Sequence, residues 1–143
     1  MTIEQLSIFL ENKPGKLVEA LEALAGAGID LRALSLADTA NFGILRVIVD
    51  QPDYALEVLQ EAGYLVKSSE VIPIAINDRP GGLASVLRIL ADTGVNVEYA
   101  YAFVAHSRDS AYVILRVNDY VAAAAALADN GIPLLTTVEV YGM

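Results

Sequence analysis

The chain has no cysteine and only one histidine among its 143 residues. Without cysteine it has no disulfide, no thiolate-bound zinc, no thiolate-held iron–sulfur cluster and no thiol nucleophile. One histidine does not supply a multi-histidine metal site, and a Ser-His-Asp triad would depend on that single residue. The composition therefore predicts no metal and no cofactor.

Positive charge is also scarce. Nine Lys and Arg stand against eighteen Asp and Glu, which gives a formal net charge of -9. Phosphate backbones and anionic lipid surfaces are bound chiefly by clustered positive charge. We therefore expect no nucleic acid and no membrane among the partners.

Long apolar runs are absent as well. No stretch approaches 18 consecutive apolar residues, and the first residues (MTIEQ) lack the basic region of a signal peptide. A cytoplasmic protein is the expectation. With 55% hydrophobic and 19% charged residues, the chain can bury its own core and is neither disordered nor fibrous.

Internal repetition is the main positive signal. The segment NKPGKL at 12–17 matches DRPGGL at 78–83, and GIDL at 28–31 matches GVNV at 94–97, both at an offset of 66 residues. ILRV at 44–47 recurs at 114–117, so the second copy carries four extra residues, which we assign to a turn at 105–110. We therefore divide the chain into copies at 1–72 and 73–143.

Periodicity predicts the same elements in each copy. Alternating apolar residues indicate first strands at 6–10 and 72–76, and leucines at helical spacing follow each Pro-Gly pair. We place the proline in the first helical turn, and we end these helices at Gly28 and Gly94. Second strands are predicted at 31–37 and 97–104, third strands at 44–50 and 112–117, second helices at 53–62 and 120–129, and fourth strands at 65–71 and 134–141.

The order βαββαβ is that of a ferredoxin-like unit. The predicted fold class is α+β, with two such units, antiparallel sheets, and helices on one face. Because a core of about 70 residues seldom provides more than roughly 3 to 5 kcal/mol, the copies should depend on each other. The last strand of the first copy should run almost directly into the first strand of the second.

Each Pro-Gly turn leads from a strand into a helix whose first N–H groups lack intrahelical partners. Such a turn can hold a carboxylate. Gly15, Gly81 and Gly82 let a ligand approach the backbone, and Asn12 or Asp78 offers oxygen to an ammonium group. These features together describe a site for an α-amino acid. The alternative is that Pro-Gly is ordinary strand-to-helix punctuation.

Both copies resemble the ACT domain, through an apolar strand, N/D-K/R-P-G-x-L, a helix, G-I/V-D/N-L/V and a β-hairpin. The resemblance covers about residues 3–72 and 73–142 and indicates a free-standing tandem ACT protein without a catalytic domain. It implies a regulatory, non-enzymatic sensor that binds an amino acid where two ACT units meet, and it implies a homodimer. The regulated partner, an enzyme or a transcription-related protein, stays open.

The resemblance also implies a set of ligand-binding residues. Those of the turns are Asn12, Pro14, Gly15, Lys16, Leu17, Asp78, Pro80, Gly81, Gly82 and Leu83, and those of the facing segments are Ile29, Asp30, Leu31, Val95, Asn96 and Val97. The copies differ in charge, because Asp78 replaces Asn12 and Gly82 replaces Lys16. Lys16 either binds a carboxylate or fills the space, so two equivalent sites are not expected.

Other residues have weaker claims to function. The aromatic row Tyr99, Tyr101 and Phe103 replaces small residues of the first copy, and we expect a partner to bury it, as a dimer interface or ligand wall. Arg46 and Arg116 should pair with nearby carboxylates. His106 lies in the inserted turn, whose polar cluster we attribute to turn composition rather than catalysis. The alanine run at 121–128 should belong to a core helix.

Two other function classes remain open beside the sensor. One is a protein-interaction module that uses the duplicated sheet without a ligand. The other is an acylphosphatase-like hydrolase on the same scaffold, which would need an anion-cradling loop with a catalytic arginine and a positioned nucleophile. The aromatic strand resembles RNA-recognition sheets, but the net negative charge argues against RNA.

Overall fold

The computed structural model describes residues 2–38, 41–105 and 108–143. His106 and Ser107, in the inserted turn, lie outside the described residues. The elements are β1 (Ile3–Glu11), α1 (Lys16–Gly26), β2 (Leu31–Asp38), β3 (Phe42–Val49), α2 (Pro52–Glu61), β4 (Leu65–Asn77), α3 (Gly82–Asp92), β5 (Val97–Ala102), β6 (Ser110–Val117), α4 (Tyr120–Asp129) and α5 (Thr137–Tyr141).

The strands form one antiparallel sheet in the order β2-β3-β1-β4-β6-β5. β4 is shared by the two copies: its first part pairs with β1 as far as Val71, and its second part pairs with β6 from Ile72 onward. The predicted direct passage from the last strand of the first copy into the first strand of the second is therefore confirmed. Thirteen residues of continuous strand join the copies, so no flexible linker separates them.

Four helices, α1 to α4, cover one face of this sheet. Leu6, Ile8 and Leu10 of β1 pack against α1 and α2, and Ile72 and Ile74 of β4 pack against α3 and α4. The alanine run lies in α4, as predicted. Its residues Ala123, Ala126 and Leu127 are buried. In the described part of the chain, no helix is long and apolar enough to cross a membrane.

The fourth strand predicted at 134–141 is wrong. The chain makes a single bridge, Leu134 to Ile74, and then forms α5. Continued pairing in that register would bring the next residues beside Val71, whose edge is already taken by Ile3 of β1. The sheet edge is thus occupied. Thr136 caps the new helix, since it accepts a hydrogen bond from the Glu139 N–H, while the Glu139 carboxylate accepts one from the Thr136 N–H.

We call the sheet face opposite α1 to α4 the inner face. The sheet curls so that its two edge strands meet, with Ala33 of β2 bridging to Phe103 and the Val104 N–H donating to the Arg32 carbonyl at 2.9 Å. The curl encloses a third core, beside the two that lie under the helices. Its buried members come from both copies and from α5, and they are Ile3, Ala33, Ile48, Val71, Phe103, Ile114, Leu135 and Val140.

Candidate functional site

The two Pro-Gly pairs form β-turns that precede the helices. The Lys16 N–H donates to the Lys13 carbonyl at 3.3 Å, and the Gly82 N–H donates to the Arg79 carbonyl at 3.0 Å. The second central residues, Gly15 and Gly81, have φ of 87° and 83°. This is the type II pattern, which requires glycine there. The prolines therefore lie before the helix caps, and placing them in the first helical turn was wrong.

The start of each helix offers backbone donors. Gly15 and Gly81 are the N-cap residues, and no described side chain caps either helix. Uncapped N–H groups at the positive end of a helix dipole form a suitable surface for a carboxylate. Both turns thus leave the helix start without a side-chain cap, which agrees with the prediction of first-turn N–H groups that lack partners.

Charged side chains crowd the first turn. Lys13 pairs with Glu11 at 2.9 Å, and Lys16 pairs with Glu19 at 3.8 Å. The hydrogen bond and charge of Lys13 lower the pKa of Glu11. Lys16 lines a cleft of about 440 Å³ with Phe9, Phe42 and residues 62–65, while Asn12 and Leu17 line a separate hollow of about 70 Å³. Lys16 is therefore engaged with a carboxylate of its own helix.

The second turn lacks such ion pairs among the described residues. It lines a cleft of about 500 Å³ whose walls include Asn77, Arg79, Ser85, Ser110 and residues 131–133. Ligand pockets typically enclose about 300 to 1,000 Å³. Asn77 and Arg79 also line an adjoining hollow of about 300 Å³ with Asp78 and Asp109. Asp78 therefore lies beside the main cleft rather than in its wall. Sequence reasoning missed Ser85, Ser110 and residues 131–133, because only the folded chain brings them next to the second turn.

Gly82 fixes the shape of the second turn. A Cβ atom at this position would lie 2.1 Å from the Asn77 carbonyl oxygen, far inside van der Waals contact. The equivalent position in the first copy is Lys16, which carries a full side chain. The two turns thus differ in backbone packing as well as in charge, so the two copies do not offer equivalent sites.

The predicted facing segments have structural partners of their own. Ile29 and Val95 are buried in the two cores, and Leu31, Val97, Leu17 and Leu83 pack against those cores. The Asp30 carboxylate binds Arg32 at 2.6 Å, and the Asp30 N–H donates to Asp50. The Asn96 N–H donates to the side chain of Asn118. These segments do not line the clefts at the turns.

The two turns lie far apart. The first follows β1, whose Phe9 pairs with the first residue of β4, and the second follows the last residue of β4. Twelve residue steps of strand span about 40 Å. Within one chain, the turns therefore do not combine with each other.

The tyrosine row lies on the inner face, opposite the helices, and is covered by the first copy of the same chain. The Tyr101 hydroxyl donates to Gln5 Oε1 at 2.6 Å, and Gln5 Nε2 donates to the Tyr99 hydroxyl at 2.8 Å. Gln5 is fully buried. The expectation that a second molecule buries this row is corrected, because the sheet closes over it.

The two equivalent arginines differ in their contacts. Arg116 pairs with Glu98 at 3.4 Å and donates to the Glu70 carbonyl at 2.8 Å, as expected. Arg46 instead lies over the ring of Tyr99, with its guanidinium carbon 3.9 Å from the ring centroid. The carboxylate pairing predicted for Arg46 is not found among the described residues.

Comparisons with known proteins agree with the observed fold. A family model described as an ACT domain pair matches residues 1–133. A solved structure, protein BT0572 from Bacteroides thetaiotaomicron, is 39% identical with a TM-score of 0.93, covering 100% of this chain and 98% of that one. The ligand-free regulatory subunit of aspartate kinase from Thermus thermophilus shares the fold at 22% identity and a TM-score of 0.66, covering 88% and 91%. No protein of curated function matches the sequence.

Proposed function

Because the chain belongs to the ACT domain family and holds an ACT domain pair, we propose that it is a non-catalytic regulatory protein that binds a free amino acid at its Pro-Gly turns. The proposal depends mainly on the geometry of the second turn. There, uncapped helix N–H groups adjoin a cleft of about 500 Å³ with polar walls. A cleft of that size can hold a small metabolite.

The backbone and side chains of the second turn suit the two ends of an amino acid. The ligand carboxylate accepts from the first-turn N–H groups of α3, which the helix dipole favours. The ammonium group is attracted to the carboxylates of Asp78 and Asp109 in the adjoining hollow. The ligand side chain extends towards Val86 and Ile132, which are apolar members of the main cleft wall.

The first turn is the weaker of the two sites in this proposal. Lys13 and Lys16 are engaged with Glu11 and Glu19. A ligand there would have to displace or rearrange these ion pairs, and Asn12 supplies no charge for an ammonium group. We therefore expect amino-acid binding to depend mainly on the second copy.

A homodimer completes the site in this proposal. Residues 29–31 and 95–97 do not reach the turns within one chain, so a second chain would supply them. A ligand held between two chains stabilises one arrangement of the pair, and the shift is limited by its preference for that arrangement. By analogy with the Thermus regulatory subunit, we propose that the regulated partner is an enzyme on another chain, in the cytoplasm.

A thermal-shift screen against the twenty amino acids tests the proposal. A ligand at about 100 times its Kd adds roughly 2.7 kcal/mol to the free energy of unfolding, which shifts the melting temperature by several degrees. Asp78→Asn gives the second turn the amide of the first turn and should weaken binding. Asp53→Asn, at the exposed start of α2 in the first copy, is the matched control and should bind normally.

Other outcomes would favour the other function classes. No shift with any amino acid would favour a protein-interaction module. Turnover of an acyl phosphate, measured as released inorganic phosphate, would favour the hydrolase. Size-exclusion chromatography with light scattering, with and without the amino acid, tests the homodimer separately.

A further inference from the structure

Four polar residues form a row on the inner face of the sheet, across β2, β3, β1 and β4. Ser35 pairs with Arg46, Arg46 pairs with Ser7, and Ser7 pairs with Lys67. Cross-strand partners point to the same side of a sheet. The row therefore places one cation, Arg46 or Lys67, on each side of Ser7, in a chain whose net charge is -9.

This row lies at the mouth of the enclosed core. Along β1 the inner-face residues become more exposed, from 0% at Gln5 to 8% at Ser7 and 39% at Phe9. Lys67, on the neighbouring strand, is exposed, and Arg46 is partly buried. A small molecule from solvent can therefore reach the row without opening the fold.

Arg46 is held in place through buried groups. It lies over the ring of Tyr99, whose hydroxyl accepts from Gln5, and Gln5 in turn accepts from Tyr101. A cation over a desolvated aromatic face is stabilised without using its hydrogen-bond donors. The stacking fixes the guanidinium while its N–H groups stay available.

Arg46 and Lys67 take part in none of the ion pairs or side-chain hydrogen bonds among the residues that the structure describes. The partly buried Arg116, by contrast, has Glu98 and the Glu70 carbonyl as partners. Ser7 accepts from Gln5 Nε2 at 3.2 Å, which leaves the Ser7 proton free to donate. The row thus combines two unpaired cations with a hydroxyl donor.

We propose that this row binds a small oxyanion, the carboxylate or phosphate group of a metabolite, between Arg46 and Lys67 and over Ser7. β3 and β4 flank β1, so the two cations start about 10 Å apart. Their long side chains can converge on one anion above the Ser7 hydroxyl. The guanidinium fork of Arg46 matches two oxygens of a carboxylate or phosphate, and Phe9 offers apolar surface to the rest of the molecule.

Ser7, Arg46 and Lys67 line neither of the clefts at the Pro-Gly turns, although Phe9 also lines the cleft at the first turn. The oxyanion proposal therefore does not rest on the amino-acid proposal. Arg46 belongs to the first copy, and the ring beneath it belongs to the second. A bound oxyanion would neutralise charge at the contact between the copies, so binding should stabilise the closed sheet.

Isothermal titration with inorganic phosphate and with succinate, at constant ionic strength in chloride, tests the proposal. Saturable binding is expected for at least one of them, and the comparison between them shows whether phosphate or carboxylate is preferred. Arg46→Met should weaken binding about tenfold or more, as expected when a charged hydrogen-bond partner is lost. Arg88→Met is the control, because Arg88 is an exposed residue of α3, away from the row, and its loss should leave binding unchanged.

Arg46→Met also removes the contact with the Tyr99 ring and could disturb folding, so Lys67→Met provides a second test. Lys67 is exposed, so its removal should weaken anion binding several-fold without changing the urea midpoint. Asp78→Asn should bind phosphate and succinate like the wild type, which separates this site from the turns. No saturable binding by the wild type, or equal affinity in the wild type, Arg46→Met and Lys67→Met, would overturn the proposal.

Discussion

Gln5 of the first copy donates to the hydroxyl of Tyr99 in the second copy at 2.8 Å, although 94 residues separate them in sequence. The same amide accepts from Tyr101 at 2.6 Å. One buried side chain thus satisfies two tyrosines of the other repeat. Buried polar groups that are fully hydrogen-bonded specify a single packing, because any other arrangement leaves them unsatisfied. Gln5 therefore fixes how the two ACT units sit on each other.

Replacing Gln5 with leucine should reduce the free energy of unfolding by about 2 to 4 kcal/mol, since both tyrosine hydroxyls lose their partner inside the protein. Urea denaturation measures this. Tyr99→Phe should cost less, about 1 to 2 kcal/mol, because only one Gln5 Nε2 proton loses its acceptor while the bonds to Tyr101 and Ser7 remain. If Gln5→Leu were as stable as the wild type, the proposed coupling of the copies would be wrong.

Stability should decline at alkaline pH. Burial raises the pKa of Tyr101 above its ordinary value of 10.0. Burial also raises the pKa of Tyr141. Below about pH 10 both folded and unfolded chains keep these protons, so stability does not change. Above that pH the unfolded chain releases them first, and the free energy of unfolding falls. Urea midpoints measured from pH 8 to 11 should show this decline, and Tyr101→Phe should make it shallower. An unchanged slope in that variant would contradict the assignment.

Arg32 holds the C-terminal helix. Its Nε donates to the Val140 carbonyl at 3.1 Å and its Nη2 donates to the Tyr141 carbonyl at 2.7 Å. Arg32→Met should reduce the free energy of unfolding by about 2 to 3 kcal/mol, because charged hydrogen bonds are lost from a buried position. Hydrogen exchange should speed up most at residues 137–141. If exchange at residues 137–141 were as slow in the variant as in the wild type, α5 would be held by its apolar contacts alone.

The glycines of the second turn should differ in their sensitivity to substitution. Gly81→Ala should cost about 1 to 2 kcal/mol, because its φ of 83° is strained for any other residue. Gly28→Ala is the matched control. Its φ of 73° and open surroundings predict a similar loss of stability, but Gly28 lies outside the turn, so amino-acid binding should stay normal. Gly82→Ala should cost more and should also weaken amino-acid binding, because its Cβ must displace the Asn77 carbonyl. Normal binding by this variant would remove the turn from the site.

The repeat explains why so much of the fold was predictable. A match such as ILRV at both 44–47 and 114–117 assigns a strand twice, so each prediction was supported by a second segment. The direct passage through β4 followed from the short joint, in which Pro73 is the only punctuation. Two positions of positive φ could also be predicted from the sequence, because Gly28 and Gly94 follow the ends of helices.

Apart from the placement of the two prolines, the errors lie where the copies stop being equivalent. Residues 134–141 are rich in apolar and β-branched residues, as strands are, but the sheet edge beside Val71 was already occupied by β1. Thr136 and Glu139 at the spacing of a capping box were the signal for a helix instead. The cover of the tyrosine row could not be predicted, because the meeting of β2 with the end of β5 depends on how far the sheet curls. For the same reason, the walls of the second cleft were missed.

The most direct test of amino-acid binding at the turns is a titration followed by ¹⁵N-resolved NMR, using the amino acid that gives the largest thermal shift. Saturable shifts are expected for the Gly81 and Gly82 amides, with smaller changes at Gly15 and at residues 29–31 and 95–97. These shifts should be much reduced in Asp78→Asn. Saturable changes confined to other residues, with the Gly81 and Gly82 amides unmoved, would contradict it.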